Sequence, residues 1–161
     1  MGGPMAGHLV RAGHVVTVFN RTAAKAEAWV AKYGGKSAAT PKEAAKDAAI
    51  VFSCVGNDDD LRAVTSGEHG AFSGMKRGAI FADHTTASAQ VAVELEQIAR
   101  RRGLSFLDAP VSGGQSGAEQ GILTIMVGGD AAAFDIARPA MACYGRAVTL
   151  MGPSGAGQKT K

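Results

Sequence analysis

The chain has few cysteines and no long apolar run, and both absences argue against several classes of protein. Only two of its 161 residues are cysteine, and Cys54 and Cys143 stand far apart with no CxxC spacing. This spacing indicates neither a disulfide framework nor a zinc site. No window approaches the roughly 18 consecutive apolar residues of a membrane-spanning helix. A signal-peptide pattern is also missing, so we expect a cytoplasmic protein without a membrane partner.

Charge of either sign is also sparse. Charged residues make up 19% of the chain, and the formal net charge is only +3. The single basic run, Arg100–Arg102, ends a predicted helix just before Gly103. Cations are favourable at the carboxyl end of a helix, which explains this run without a nucleic acid. We therefore expect no nucleic-acid partner.

What remains is an alternation of apolar strands and helices in a chain that is 46% hydrophobic. This alternation predicts an α/β fold with a mainly parallel sheet, and no linker divides residues 1–161. Strands are predicted at 15–19, 50–55, 79–82, 104–107, 123–127 and 148–151. Helices are predicted at 4–12, 22–33 and 88–102, after a capping box at 40–43, and from Asp130 to about 143.

A segment of small residues, Asp108–Ala118, follows the predicted strand at 104–107. Its sequence, DAPVSGGQSGA, contains three glycines. Small residues let backbone N–H groups approach a carboxylate or phosphate closely, which favours an anion-binding loop. Glycine clusters are equally typical of an ordinary tight turn. Both interpretations of this segment stay open on its residues alone.

The amino-terminal residues resemble part of a dinucleotide site. Gly2 stands directly before the helix at 4–12, where such folds bind a pyrophosphate. Asn20-Arg21-Thr22 follows the next strand, near the offset of roughly 20 residues at which the ribose is recognised. An arginine there can pair with a 2′-phosphate, which favours NADP, with NAD possible. The alternative is that Arg21 is simply solvated beside a helix-capping threonine.

Three motifs together resemble the β-hydroxyacid dehydrogenase family. Met1–Ala6 is similar to the second half of its G-x-G-x-M-G-x-x-M-A fingerprint, and Asp108–Gly117 to its D-A-P-V-S-G-G-x-x-G loop. Gly155–Lys161 is similar to its G-x-G-Q-x-x-K segment. The family includes 3-hydroxyisobutyrate dehydrogenases, tartronate semialdehyde reductases and glyoxylate/succinic semialdehyde reductases. His8 and Gly56 depart from the asparagine and proline that the family commonly has.

The resemblance implies a Rossmann-like, doubly wound and mostly parallel sheet that lacks the usual first strand. Residues 1–161 would be one NAD(P)-binding domain, a fragment of a larger two-domain enzyme whose helical C-terminal domain is absent here. The whole enzyme would be a homo-oligomer.

The same resemblance implies the chemistry. Hydride would pass between NADP and a short β-hydroxyacid or semialdehyde, such as 3-hydroxyisobutyrate, tartronate semialdehyde or glyoxylate. Ser112, Gly113 and Gly114 would bind the substrate carboxylate, and Lys161 would be the catalytic residue that exchanges a proton with the reacting oxygen. The residues implied in cofactor binding are Met1, Gly2, Asn20, Arg21, Thr22, Cys54, Val55, Gly56, Asp60 and Thr86.

Two other functions are weighed against this one. A non-catalytic binding or scaffold domain could keep the fold, but relatives that lost catalysis tend to lose the lysine that Lys161 matches. A decarboxylating enzyme similar to 6-phosphogluconate dehydrogenase ranks lower, because nothing in the chain resembles a sugar-phosphate clamp.

Overall fold

The computed structural model describes residues 1–161 as nine helices and eight strands. The helices are α1 (Gly2–Arg11), α2 (Ala23–Tyr33), α3 (Pro41–Ala45), α4 (Asp58–Thr65), α5 (Ala71–Gly74), α6 (Ala89–Arg101), α7 (Gly114–Gln120), α8 (Ala131–Met141) and α9 (Ala156–Thr160). The strands are β1 (Thr17–Val18), β2 (Lys36–Ser37), β3 (Ile50–Ser53), β4 (Ile80–Asp83), β5 (Ser105–Asp108), β6 (Val111–Ser112), β7 (Leu123–Gly128) and β8 (Gly145–Gly152).

The strands form two separate sheets. β1 and β2 make a parallel pair. In the six-stranded sheet, β3, β4 and β5 are parallel neighbours, and β7 runs antiparallel to both β5 and β6. β8 pairs with β7 in parallel. The sheet is therefore mixed but mostly parallel, and the predicted Rossmann-like α/β class is confirmed.

Each face of the large sheet buries its own apolar cluster, as in a doubly wound fold. Alternate strand residues point to opposite faces, so Phe81 and Phe106 lie in one cluster while Leu107 lies in the other. Phe81 and Phe106 stack with their ring centroids 5.7 Å apart. Helices α4, α5 and α6 cover the face with the phenylalanines, and α1, α7 and α8 cover the opposite face.

Side-chain caps begin four of the nine helices, α3, α4, α6 and α8. The Thr40 hydroxyl accepts a hydrogen bond from the Glu43 N–H at 3.1 Å, and the Asp130 carboxylate accepts one from Ala133 at 3.0 Å. Both caps were expected from the sequence. The basic run ends α6, whose C-cap is Arg102, as the helix-terminus explanation requires.

A groove of about 1000 Å³ separates β1 from β3. No strand pairing joins these two strands, and apolar side chains such as Val16, Val18, Ile50 and Phe52 line the space between them. This is the position that the usual first strand would take in a doubly wound sheet. The predicted gap is therefore present, and the sheet edge of β3 lies open.

The gap also explains why the first predicted strand is shorter than expected. The residues 15–19 were expected to form a buried strand, but only Thr17–Val18 pair, and Val15 is 90% exposed. With a partner on one side only, this segment has little to pack against. The predicted loop after β5 is shorter than expected, because Val111–Ser112 form β6 and Gly114 begins α7.

None of the helices combines the length and the apolar character that crossing a membrane requires.

Candidate functional site

The predicted substrate loop and Lys161 meet at one small cavity. This cavity, which we call the chemistry pocket, has a volume of about 270 Å³. Its lining includes Ser112, Gly113, Gly114, Thr86 and Lys161. The segments that form it follow the carboxyl ends of β3, β4 and β5, where parallel α/β sheets bind their ligands. Residues from the two ends of the chain therefore share one site.

The predicted cofactor residues line the groove between β1 and β3. Nine of the ten border it, and the tenth, Thr86, borders the chemistry pocket. The nine are Met1, Gly2, Asn20, Arg21, Thr22, Cys54, Val55, Gly56 and Asp60. Met1, Cys54, Val55 and Gly56 border both spaces, so the groove and the chemistry pocket adjoin at the end of β3.

The start of α1 presents unused backbone donors to the groove. First-turn N–H groups have no acceptor within a helix, and no other hydrogen bond engages those of Gly2 and Gly3. Met1 makes no side-chain cap, and the first turn contains no acidic residue. The positive end of the helix dipole adds to the attraction for an anion. These residues therefore fit the diphosphate of a dinucleotide.

The residues expected near the ribose make one local hydrogen bond and one long ion pair. The Asn20 side-chain oxygen accepts from the Thr22 N–H at 2.8 Å, which fixes the turn after β1. The Arg21 guanidinium lies 3.4 Å from the Asp60 carboxylate, and the Arg21 side chain is 78% exposed. A Cβ at position 56 would lie 2.8 Å from the same carboxylate, so Gly56 leaves the space that Asp60 occupies.

The glycines of the substrate loop adopt conformations that other residues rarely take. Gly113 has a φ of 135° and Gly114 a φ of 62°. No hydrogen bond within the chain engages the N–H group of either residue. Ser112 is exposed beside them. The loop can therefore offer one hydroxyl and two backbone donors to a carboxylate.

Asp108, to which sequence reasoning gave no role, attaches α9 to the end of β5. Its buried carboxylate accepts from the N–H of Gly155 at 2.7 Å and from that of Gln158 at 2.9 Å. Gly157 lies so close to the strands that a Cβ there would come within 2.4 Å of the Met126 carbonyl oxygen. The G-x-G spacing thus allows α9, which leads to Lys161, to lie directly on the sheet.

His84 ties β4 to the substrate loop through a buried pair of bonds. Burial lowers the pKa of His84 to about 4, so the ring is neutral. Its Nδ1–H donates to the Ala109 carbonyl at 2.7 Å, and its Nε2 accepts from the Tyr144 hydroxyl at 2.6 Å. Phe52 stacks on the ring with centroids 5.5 Å apart. The ring thereby fixes the backbone that leads into Ser112.

Asp83 is the neighbouring buried acid. One carboxylate oxygen accepts from the Ser53 hydroxyl at 2.7 Å and from the Thr85 N–H at 3.0 Å. The other oxygen is buried and has no partner. Burial raises the pKa of Asp83 to about 6, and the nearby Asp108 charge adds to the effect.

His8 occupies a structural position on the other side of the substrate loop. Its Nε2 lies 3.0 Å from the carbonyl oxygens of both Ala118 and Glu119, at the end of α7. Since carbonyls only accept, Nε2 carries the proton in these contacts. His8, which stands where the family commonly has asparagine, therefore provides a donor that joins α1 to α7.

Comparison with known proteins agrees with this geometry. The family model for the NAD binding domain of 6-phosphogluconate dehydrogenase matches residues 1–152. A Shewanella frigidimarina protein named as an uncharacterized oxidoreductase is 62% identical over the whole chain, which covers 55% of that protein. The chain spans about half the length of the curated relatives that it matches.

Two solved structures share the fold over almost the whole chain. A Mycobacterium tuberculosis 3-hydroxyisobutyrate dehydrogenase with L-serine has a TM-score of 0.93 at 32% identity, with 99% of this chain and 54% of that one covered. A structure described as Psf3 in complex with NADP+ and 2-OPP also has a TM-score of 0.93, at 25% identity, with 99% and 56% covered. NAD(P) is therefore the cofactor that this domain binds, and the chain belongs to the family of the 6-phosphogluconate dehydrogenase NAD binding domain.

Proposed function

We propose that residues 1–161 form the cofactor domain of a two-domain, homo-oligomeric oxidoreductase that uses NADP. Its substrate is a short β-hydroxyacid or semialdehyde, of the 3-hydroxyisobutyrate, tartronate semialdehyde or glyoxylate type. The observation that carries the proposal is the chemistry pocket, where a lysine borders the same space as a serine–glycine loop. Relatives named as 3-hydroxyisobutyrate dehydrogenase-like proteins and as an L-serine dehydrogenase support this substrate class.

In this proposal the substrate loop binds the acid group. The Ser112 hydroxyl and the N–H groups of Gly113 and Gly114 donate to the substrate carboxylate. Backbone donors held in a fixed loop need little reorganisation when the anion binds, which makes them effective at orienting a substrate.

Lys161 handles the proton in the same proposal. During reduction its ammonium gives a proton to the carbonyl oxygen, and during oxidation its amine takes the proton from the hydroxyl. NAD(P), when bound, accepts or supplies the hydride. The chain's own contribution is to hold the acid group at one wall of the pocket and the amine at another.

The preference for NADP rests on Arg21. Its guanidinium is exposed at the edge of the groove, and its only ionic partner is the weakly held Asp60 carboxylate. A 2′-phosphate is a stronger partner, because it accepts two parallel N–H bonds from a guanidinium. Asp60 would then be left to accept from other donors of the cofactor.

The test uses the two-domain enzyme with NADPH and either glyoxylate or succinic semialdehyde. We expect Lys161→Ala to lower kcat on the order of 10²- to 10⁴-fold, the usual contribution of a general acid, with little change in NADPH affinity. Lys159→Ala, which removes an exposed lysine from α9, the helix that precedes Lys161, is the matched control and should keep full activity. Equal turnover in Lys161→Ala and the parent enzyme would remove Lys161 from the mechanism.

A further inference from the structure

The helix that precedes Lys161 is too short to hold its own position. α9 has only five residues, and an isolated helix of that length is not stable in water. Its position therefore depends on side chains that attach it to the sheet. Asp108 attaches its first turn to the end of β5. A second attachment comes from Gln158, in the middle of the helix.

Gln158 binds two backbone groups of the loop that follows β4. Its Nε2 donates to the Thr85 carbonyl at 2.7 Å, and its Oε1 accepts from the Ala87 N–H at 3.2 Å. The residue between these two is Thr86, which borders the chemistry pocket. The amide of Gln158 therefore spans the backbone on both sides of a proposed cofactor residue.

The same loop is also fixed to the turn after β3. The Thr85 hydroxyl oxygen accepts from the Val55 N–H at 2.9 Å. Val55 borders both the groove and the chemistry pocket. A continuous series of hydrogen bonds therefore runs from the cofactor turn through Thr85 to Gln158, one turn before Lys161.

The chemistry of these bonds favours an amide over other side chains. One partner is a carbonyl, which needs a donor, and the other is an N–H, which needs an acceptor. A glutamine amide provides both without charge, whereas an ionised glutamate offers acceptors only. A leucine of similar size fills the space but leaves both backbone groups without a partner.

We propose that Gln158 is a positioning residue that sets the place of Lys161 relative to Thr86 and the cofactor turn. This inference rests on the proposed function, because it gives Gln158 its role through Lys161. In this role Gln158 need not contact the substrate. It predicts that loss of the amide lowers kcat more than it raises the KM for the acid substrate or weakens NADPH binding.

The experiment compares Gln158→Leu and Gln158→Glu in the two-domain enzyme, with NADPH and glyoxylate or succinic semialdehyde. We expect Gln158→Leu to lose kcat on the order of 10²-fold, the effect of a displacement of about 1 Å in a reacting group. Gln97→Leu and Gln97→Glu are the matched controls, since Gln97 is exposed on α6.

Gln158→Glu provides a readout that a merely structural role would not move. At neutral pH its carboxylate faces the Thr85 carbonyl, and activity is low. As the pH falls the carboxyl group gains a proton, so that it again donates to Thr85 and accepts from Ala87. The ratio of its kcat to that of the parent enzyme should therefore rise on acidification, whereas the ratio for Gln158→Leu should stay flat.

Three outcomes separate this inference from the proposed function. If Lys161→Ala loses turnover while Gln158→Leu keeps it, the positioning role is wrong and the proposed function stands. A pH-independent kcat ratio for Gln158→Glu would also overturn the positioning role. This measurement needs only Gln158→Glu and the parent enzyme, so it remains valid if Gln158→Leu does not fold. Full turnover in Lys161→Ala would remove Lys161 from the mechanism, and the positioning role of Gln158 with it.

Discussion

Two neighbouring strands of the same sheet end in very different surroundings. β3 and β4 are paired in register, yet all four residues of β3 are half-buried and all four of β4 are buried. β3 ends beside the open groove, where the contacts near Arg21 are exposed. β4 ends among buried polar groups. His84 bonds to the backbone that leads into the substrate loop, and Thr85 bonds to Gln158 of α9. The end of β4, where the proposed chemistry takes place, is thus buried and hydrogen-bonded, and we call it the buried side. The end of β3, where the proposed cofactor choice takes place, is exposed, and we call it the open side.

The largest expected effect on this difference between the two strand ends comes from removing the Asp108 carboxylate on the buried side. Asp108→Ala deletes an acceptor with two charge-assisted bonds to the start of α9. Bonds of this kind contribute about 1.5 to 3 kcal/mol each, so we expect a loss of about 3 to 6 kcal/mol in the free energy of unfolding. Chemical denaturation of the two-domain enzyme measures this loss.

The matched control for that variant is Asp135→Ala, which removes an exposed carboxylate from α8. Its effect should lie within about 0.5 kcal/mol of zero, as is usual for surface positions. Similar effects for the two variants would mean that Asp108 does not hold α9 in place.

The next test uses the opposite pKa shifts of Asp83 and His84. His84 has a pKa of about 4 in the fold against 6.5 ordinarily, so the unfolded chain alone binds this proton between those values. Stability from His84 therefore falls as the pH drops through that window, by about 3 kcal/mol. Asp83 has a pKa of about 6 against 3.8, so its contribution rises as the pH drops, again by about 3 kcal/mol.

These two contributions nearly cancel between pH 4 and 6, which predicts a shallow pH dependence for the parent protein. Asp83→Asn leaves only the His84 contribution, so the free energy of unfolding of this variant should fall steeply on acidification. His84→Asn leaves only the Asp83 contribution, so its free energy of unfolding should rise on acidification. Urea denaturation at several pH values between 4 and 7 distinguishes these cases, and parallel curves for all three proteins would contradict the assignment.

The buried side also marks the limit of what the sequence could predict. Caps such as Thr40 and Asp130 depend on residues three positions away, so local spacing indicates them. The bond from Gln158 to Thr85 joins residues 73 positions apart, and that from His84 to Tyr144 joins residues 60 apart. No period or spacing within one element encodes such contacts. The motifs point to segments that border common cavities in the structure, but only the fold shows which side chains hold these segments together.

The open side was predicted less accurately for a different reason. The run from Val15 to Phe19 has the residues of a full strand, yet only two of them pair. A strand's length depends on its neighbours as well as on its own β-branched residues, because β propensity largely reflects packing against adjacent strands. Without a partner between β1 and β3, the sequence pattern overestimates the strand.

The smallest expected effect concerns Arg21, on the open side. Because its pair with Asp60 is exposed and long, Arg21→Ala should change the free energy of unfolding by less than about 1 kcal/mol. The same change should weaken NADPH binding about tenfold, the equivalent of 1.4 kcal/mol, through the lost pairing with the 2′-phosphate. NADH lacks that phosphate, so its affinity should stay the same.

Titration of both cofactors into the two-domain enzyme measures this difference, with Arg146→Ala as the matched control because Arg146 is exposed on the distant β8. Equal weakening of NADPH and NADH would show that Arg21 supports the groove itself and does not recognise a phosphate. A selective effect, with stability unchanged, would show that cofactor choice can be altered on the open side without disturbing the hydrogen bonds that attach α9 to the sheet. The contrast between β3 and β4 would then be functional as well as structural.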